Sequence, residues 1–158
     1  MADAAAKTIH KTRVSGHNAY ILADGVVFYE GQFVQLESGY LNHWDEAGTF
    51  LGILTGGKDR AGDGVLTGEI SDTPPVEGYV DESGTVLMHV TIGGTPTQAK
   101  VGDLVFCADS DPANMTFTDT TNPPVGRCVR YRSATDQDVQ LFTPGEFAAG
   151  IADATWNS

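Results

Sequence analysis

Short apolar runs separated by glycine-, proline- and acid-rich turns set the pattern of this chain. Runs at 19–22, 26–29, 33–36, 40–44, 49–55, 65–70 and 79–80 are bounded by turn signals such as Asp24-Gly25, Glu30-Gly31 and Glu37-Ser38-Gly39, and each reads as a strand. In 85–92, Val86, Met88 and Val90 alternate with Leu87, His89 and Thr91, the two-residue period of a strand. This strand follows 79–80 across a turn at 81–84. The clearest unit is 101–142. Gly102-Asp103 turns the chain into 104–108, and Met115 and Phe117 alternate with Thr116 and Thr118. Thr121-Asn122-Pro123-Pro124 breaks the pattern, 125–131 is a second run, 133–138 is a polar turn, and 139–142 closes an antiparallel meander.

The fold class that follows is all-β: a small barrel or sandwich-like domain with an extended N-terminal arm, a short C-terminal tail and one short helix at most. Nineteen glycines and seven prolines between short β-branched runs favour that architecture over helices. The length of 158 residues suits one domain, and 41% apolar residues exclude general disorder. The boundaries read as an arm at 1–18, a barrel-like domain at 19–147 and a tail at 148–158. Residues 56–63 and 93–100 are loops, and Pro74-Pro75 stiffens the connection at 72–78. Pro144-Gly145 ends the last strand. The tail carries Phe147, Ile151 and Trp156, whose apolar side is expected to dock on the barrel or on a neighbour.

The chain also echoes itself. Residues 30–34, 40–41 and 50–54 parallel 101–105, 115–116 and 125–129: turn-glycine-polar-apolar-valine, a hairpin, then a strand with glycine near its start. Two related β units packed into one barrel produce such an echo. So does chance among short strands.

Charge narrows the partners. The formal net charge is −12. Lys7, Lys11 and Arg13 face only Asp3 in the first eighteen residues, so the arm is near +2 and the remainder near −14. A body this acidic repels nucleic acid and anionic lipid. The basic arm suits an acidic protein surface, or is a solvated terminus. No run of about 18 apolar residues is present. The N-terminus has no apolar core of the secretory kind, so folding in the cytoplasm is the expectation. Cys107 and Cys128, in strands that are candidate neighbours, are too few for a disulfide scaffold and read as buried thiols. The alternative is a bridge formed in oxidising surroundings.

Candidate chemistry is sparse. Residues 52–59, GILTGGKD, approach a phosphate-binding loop, but Asp59 stands where a hydroxyl would hold magnesium. Asp109, Asp111 and Asn114 crowd a hairpin tip and lack the glycine and distal glutamate of a calcium loop, so they read as turn formers. Asn114-Met115-Thr116 matches a glycosylation pattern. His10, His17, His43 and His89 have no paired metal spacing. No nucleophile has a base beside it. No catalytic set, metal or cofactor is expected.

The residues at 101–106 (VGDLVF), 123–129 (PPVGRCV) and 139–142 (VQLF) resemble the capsid decoration, or cement, proteins of tailed bacteriophages. Residues 31–34 and 50–54 look like the first half of the same module, and 56–100 departs as a long insertion. The resemblance implies a β-barrel-like structural protein on the outside of an expanded capsid. It implies a homotrimer with the major capsid protein as partner, made in a host bacterium, with no nucleic acid and no membrane contact. It also implies an arm that grips capsid subunits. Lys7, His10, Lys11 and Arg13 are the candidate capsid-binding residues, and Trp44, Phe147 and Trp156 the candidate interface anchors. The alternatives are another virion part, such as a head-fibre base or tail adaptor, or a carbohydrate-binding module stacking sugars on Trp44, Tyr40 or Trp156.

Overall fold

The computed structural model describes residues 17–57, 65–118 and 122–153. Eleven strands are present among them: β1 (His17–Ile21), β2 (Val27–Tyr29), β3 (Phe33–Glu37), β4 (Tyr40–His43), β5 (Thr49–Gly57), β6 (Val65–Thr67), β7 (Glu77–Asp81), β8 (Val86–Val90), β9 (Leu104–Val105), β10 (Gly126–Ser133) and β11 (Asp136–Leu141). One helix, α1 (Pro144–Asp153), follows them. The fold is all-β, with one short α-helix among the described residues.

The strands form two antiparallel sheets that repeat one topology. The first is ordered β4-β3-β5-β7-β1 and the second β9-β10-β11-β8, with β2 and β6 as a separate ribbon. In the second sheet, residues 115–117 take the place of β4: Phe106 and Thr116 exchange hydrogen bonds of 2.9 and 2.8 Å. Each sheet closes on itself. Leu22 bridges Leu41 in parallel, and Gly93 bridges Thr116 in parallel. Ala23 N donates to Leu41 O at 2.9 Å, and Gly93 N to Met115 O at 2.8 Å.

The correspondence holds bond by bond. Gly31 N donates to Leu54 O at 2.7 Å, and Leu54 N to Gln32 O at 2.9 Å. In the second sheet Gly102 N donates to Cys128 O at 2.7 Å, and Cys128 N to Asp103 O at 3.0 Å. Val34 pairs with Gly52 as Val105 pairs with Gly126. A bulge falls between Leu54 and Gly56 against β7, and between Cys128 and Arg130 against β11. The two glycines answer one steric demand. A Cβ on Gly52 would collide with the Asp81 carbonyl oxygen, and one on Gly126 with that of Gln140. The sequence echo therefore marks a structural repeat, with its third segment shifted by one residue: Gly52 corresponds to Gly126. The expectation of two units in one barrel is corrected, because each unit closes a barrel of its own.

The cores repeat as well. Leu22, Val34, Leu41, Leu51, Leu54 and Val80 fill the first barrel, and Ile92, Val105, Met115, Val125, Cys128 and Val139 occupy the matching places in the second. Phe28 of β2 and Leu66 of β6 cap the first core. The barrels are joined by Phe33, Trp44 and Phe50, which cluster with Phe147 of α1 and with the second core. Trp44 meets Phe50 and Phe147 edge-on, at centroid distances of 5.2 and 5.7 Å. Helix α1 starts at a capping box: Thr143 Oγ1 accepts from Glu146 N, Glu146 Oε1 accepts from Thr143 N, both at 3.1 Å, and Pro144 takes the first turn.

Several boundaries move. His17 and Asn18, placed in the arm, pair with Asp81 and Val80 in β1. The 148 boundary cuts α1. β7 and β8 lie in different sheets, so the chain crosses between barrels at 82–85 where a local strand-turn-strand unit was expected. β11 begins at Asp136 within the expected turn.

Candidate functional site

Several described residues with chemical potential make structural contacts. Asp109 accepts from Asp111 N at 2.9 Å and from Asn114 Nδ2 at 2.8 Å, and Asp111 caps the 3₁₀ turn Pro112–Asn114 through Ala113 N at 2.9 Å. These carboxylates hold a turn together. Among the described residues no group of three or more His, Cys, Asp or Glu is arranged to hold a metal ion. Gly52, from the phosphate-loop-like segment, lies inside β5. His43 packs edge-on against Phe28 at 4.9 Å, with Nε2 2.7 Å from the Val27 carbonyl.

An ionic cluster sits where β8 bulges beside β11. Arg132 donates to both oxygens of Asp138, at 2.6 and 2.9 Å, and to Asp136 at 3.2 Å. His89, in a left-handed conformation (φ 57°), donates its backbone N–H to Asp138 at 3.0 Å and sets Nδ1 3.0 Å from Asp136. The Arg132 guanidinium, bound to Asp138, lowers that carboxyl to about 2. The cluster pins the β10–β11 hairpin to the bulge. A second buried acid, Glu82, lies at the crossover and accepts hydrogen bonds from Asn18 Nδ2 and Tyr20 OH.

The two cysteines are free and buried. Register places Cys128 opposite Asp103, four residues along from Cys107. At about 3.3 Å per residue that is roughly 13 Å, well beyond disulfide reach. Burial pushes the Cys107 thiol up to about 12, with the Asp109 and Asp111 carboxylates adding to the effect.

Phe147 docks on the barrel, one of the two placements expected for the tail, and Trp44 packs with it inside the molecule. Trp44 and Phe147 are each 1% exposed, and Trp44 Nε1 donates to the Cys107 carbonyl at 2.7 Å. They anchor the contact between the two barrels and present no surface to a partner or a sugar. The reason is their spacing in the fold: the end of β4, β5 and α1 bring Trp44 edge-on to Phe50 and Phe147, which are tilted against each other. Trp156 and the arm residues Lys7, His10, Lys11 and Arg13 lie outside the described residues.

No family model, curated protein or solved structure matches this chain.

The surface that stands out is the outer face of the second sheet. Val86, Gln140, Arg127 and Leu104 form one cross-strand row. The neighbouring row, Leu87, Val139 and Cys128, points into the barrel. Two residues along from Val86 and Arg127, Met88 and Val129 return to the outside, 58% and 41% exposed. Val101 is exposed beside them, where Gly102 bonds Cys128. Arg127 and Arg130, both exposed, are paired in β10 with Gln140 and Asp138 of β11. The sequence signal for it was the β8 segment, VLMHV, which is apolar on both faces.

Proposed function

We propose that this chain is a structural virion protein that binds the outer surface of an expanded bacteriophage capsid and stabilises it. The observation that carries the reading is the duplicated barrel. The segments that resemble decoration proteins, 101–106, 123–129 and 139–142, supply the hydrogen-bonded frame of the second barrel, and 31–34 and 50–54 supply that of the first. The resemblance thus falls on both halves at matching positions. The Asp109 turn, the Asp111 cap and the Arg132–Asp138 ion pair are contacts of a structural kind.

In this reading the major capsid protein is the partner and the copies form a homotrimer on the virion exterior, after synthesis in the host bacterial cytoplasm. The basic segment with Lys7, Lys11 and Arg13 meets acidic capsid groups, which steers association. Many copies at symmetric positions need only modest affinity each. The acidic body keeps the decorated particle soluble. No catalytic step, cofactor or nucleic acid enters the reading.

The test is co-sedimentation of the full chain with expanded, empty capsids of the phage that encodes it. Saturable binding to expanded shells and not to unexpanded ones supports the proposal. Absence of binding by folded protein contradicts it.

A further inference from the structure

Strand β7 carries its charge on one side. A Cβ on Gly78 would stand among Leu22, Leu41 and Leu54, and Val80 is buried in the same core. The alternate residues Glu77, Tyr79 and Asp81 therefore face outwards from the first barrel. The neighbours of Tyr79 across the sheet are small: Ala19 of β1 on one side and Gly56 of β5 on the other. The Tyr79 side chain is 43% exposed. The Glu30 carboxylate reaches over Gly56, with Oε1 3.5 Å from where a Cβ would stand, and Tyr29 next to Glu30 is exposed as well. Asp81 accepts from the Ser83 hydroxyl at 2.6 Å and stands 3.8 Å from His17. Glu30, Glu77 and the Tyr79 hydroxyl have no hydrogen-bond or ion-pair partner among the described residues.

Charge says what covers this face. Residues 17–57 hold five acids and residues 65–82 hold five more, and neither stretch holds a Lys or an Arg. The described Lys and Arg residues, Lys100, Arg127, Arg130 and Arg132, all belong to the second barrel. The nearest basic segment along the chain lies just ahead of β1: residues 1–16 hold Lys7, His10, Lys11 and Arg13 against Asp3 alone. β1 is the strand beside β7, and its first residue, His17, pairs with Asp81. The reach is sufficient. Four residues of β1, about 13 Å, separate His17 from the Ile21–Glu77 pair. Lys11 lies six residues ahead of His17, about 20 Å of extended chain, and Ser15-Gly16 between them is a turn-forming pair.

We propose that residues 1–16 fold back on the first barrel of their own molecule, with Lys11 and Arg13 set over Tyr79 beside Glu77 and Glu30. The face of the tyrosine ring attracts a cationic side chain, and the two carboxylates add the opposite charge. The contact lies within one molecule and needs no capsid. Its consequence rests on the proposed function: the same basic residues meet acidic capsid groups there, so barrel face and capsid compete for them. A molecule away from a shell keeps its basic segment covered. The contact is measured without capsids, so its failure and a failure of capsid binding are read separately.

Limited trypsin digestion of the full chain tests it. The cuts after Lys11 and Arg13 are followed by mass spectrometry and compared with those in a synthetic peptide of residues 1–16 under the same conditions. Where the segment opens and closes quickly relative to cleavage, the rate reports the fraction open. Cleavage is expected to be about tenfold slower in the full chain than in the peptide. It is expected to rise towards the peptide rate with Tyr79→Ala, with Glu77→Lys and at raised salt, and to be the same at every protein concentration. An unchanged thermal midpoint shows that each variant is folded, and Glu30→Lys, at an exposed position, replaces Glu77→Lys if that variant melts early. Cleavage of the wild type at the peptide rate overturns the proposal and leaves the face to Lys58 and Arg60 of the following loop. Protection that these substitutions do not move also overturns it. So does protection that grows with protein concentration, the mark of a contact between copies.

Discussion

The indole N–H of Trp44 reaches the carbonyl oxygen of Cys107 at 2.7 Å, across a sequence separation of 63 residues. That bond ties two barrels that otherwise hold separate cores, and the Trp44–Phe50–Phe147 aromatic cluster packs around it. Trp44→Phe keeps much of the packing and strands a buried carbonyl, which costs about 1–3 kcal/mol. Trp44→Ala removes the packing as well and costs about 3–5 kcal/mol. Urea denaturation measures both. A Trp44→Ala variant as stable as wild type would show that the barrels do not depend on this joint.

The paired glycines predict paired effects. Gly52→Ala and Gly126→Ala each push a methyl into a carbonyl oxygen of the neighbouring strand. Each is expected to lower stability by about 2 kcal/mol or more, in the range of overpacked cores. The similar size of the two losses is the test of the repeat. A large loss at one glycine and none at the other would mean that the correspondence is only topological.

The thiols predict protection. Cys107 and Cys128 should resist alkylation in native protein and react fully in denaturant, because both are buried. Cys107 also sets an alkaline limit. Its folded pKa of about 12 lies above the ordinary 9.0, so the unfolded state loses its proton first. The stability contributed below pH 9 is withdrawn as pH rises from 9 towards 12, and Cys107→Ala should flatten that decline.

Acid acts through Asp138. Its carboxyl is lowered to about 2 from 3.8 by Arg132. The contribution is therefore present above pH 3.8 and lost as pH falls towards 2. Asp138→Asn should remove that part of the acid dependence while destabilising the protein at neutral pH, measured as denaturation midpoints across the two limbs.

Much of the fold was legible because local and tertiary signals agree. The runs at 26–29, 33–36, 40–44 and 49–55 are bounded by turn residues and form β2, β3, β4 and β5 nearly where expected. Where they disagree, the reading failed. β7 and β8 are adjacent in sequence, yet their partners are β1, β5 and β11, and no local pattern reports a change of sheet. Met115 and Phe117 alternate as in a strand, but they enter the second barrel through bridges with Phe106 and Gly93. The start of α1 is written locally, since Thr143-Pro144-Gly145-Glu146 is a capping box, and the short helix expected in the tail begins there, three residues ahead of Phe147. Burial of Trp44 depends on Phe147, 103 residues away, which pattern alone does not reveal. The outer face of the second sheet was half legible, since apolar residues on both sides of β8 mark a strand whose outer side wants cover.

The most direct measurement of the central claim is a cryo-electron microscopy map of the mature virion of the encoding phage, compared with particles made without this protein. The account predicts density for the double barrel on the outside of the capsid shell, absent from the deletion particles. Density confined to the tail, the neck or a fibre base, with an undecorated shell, would contradict it.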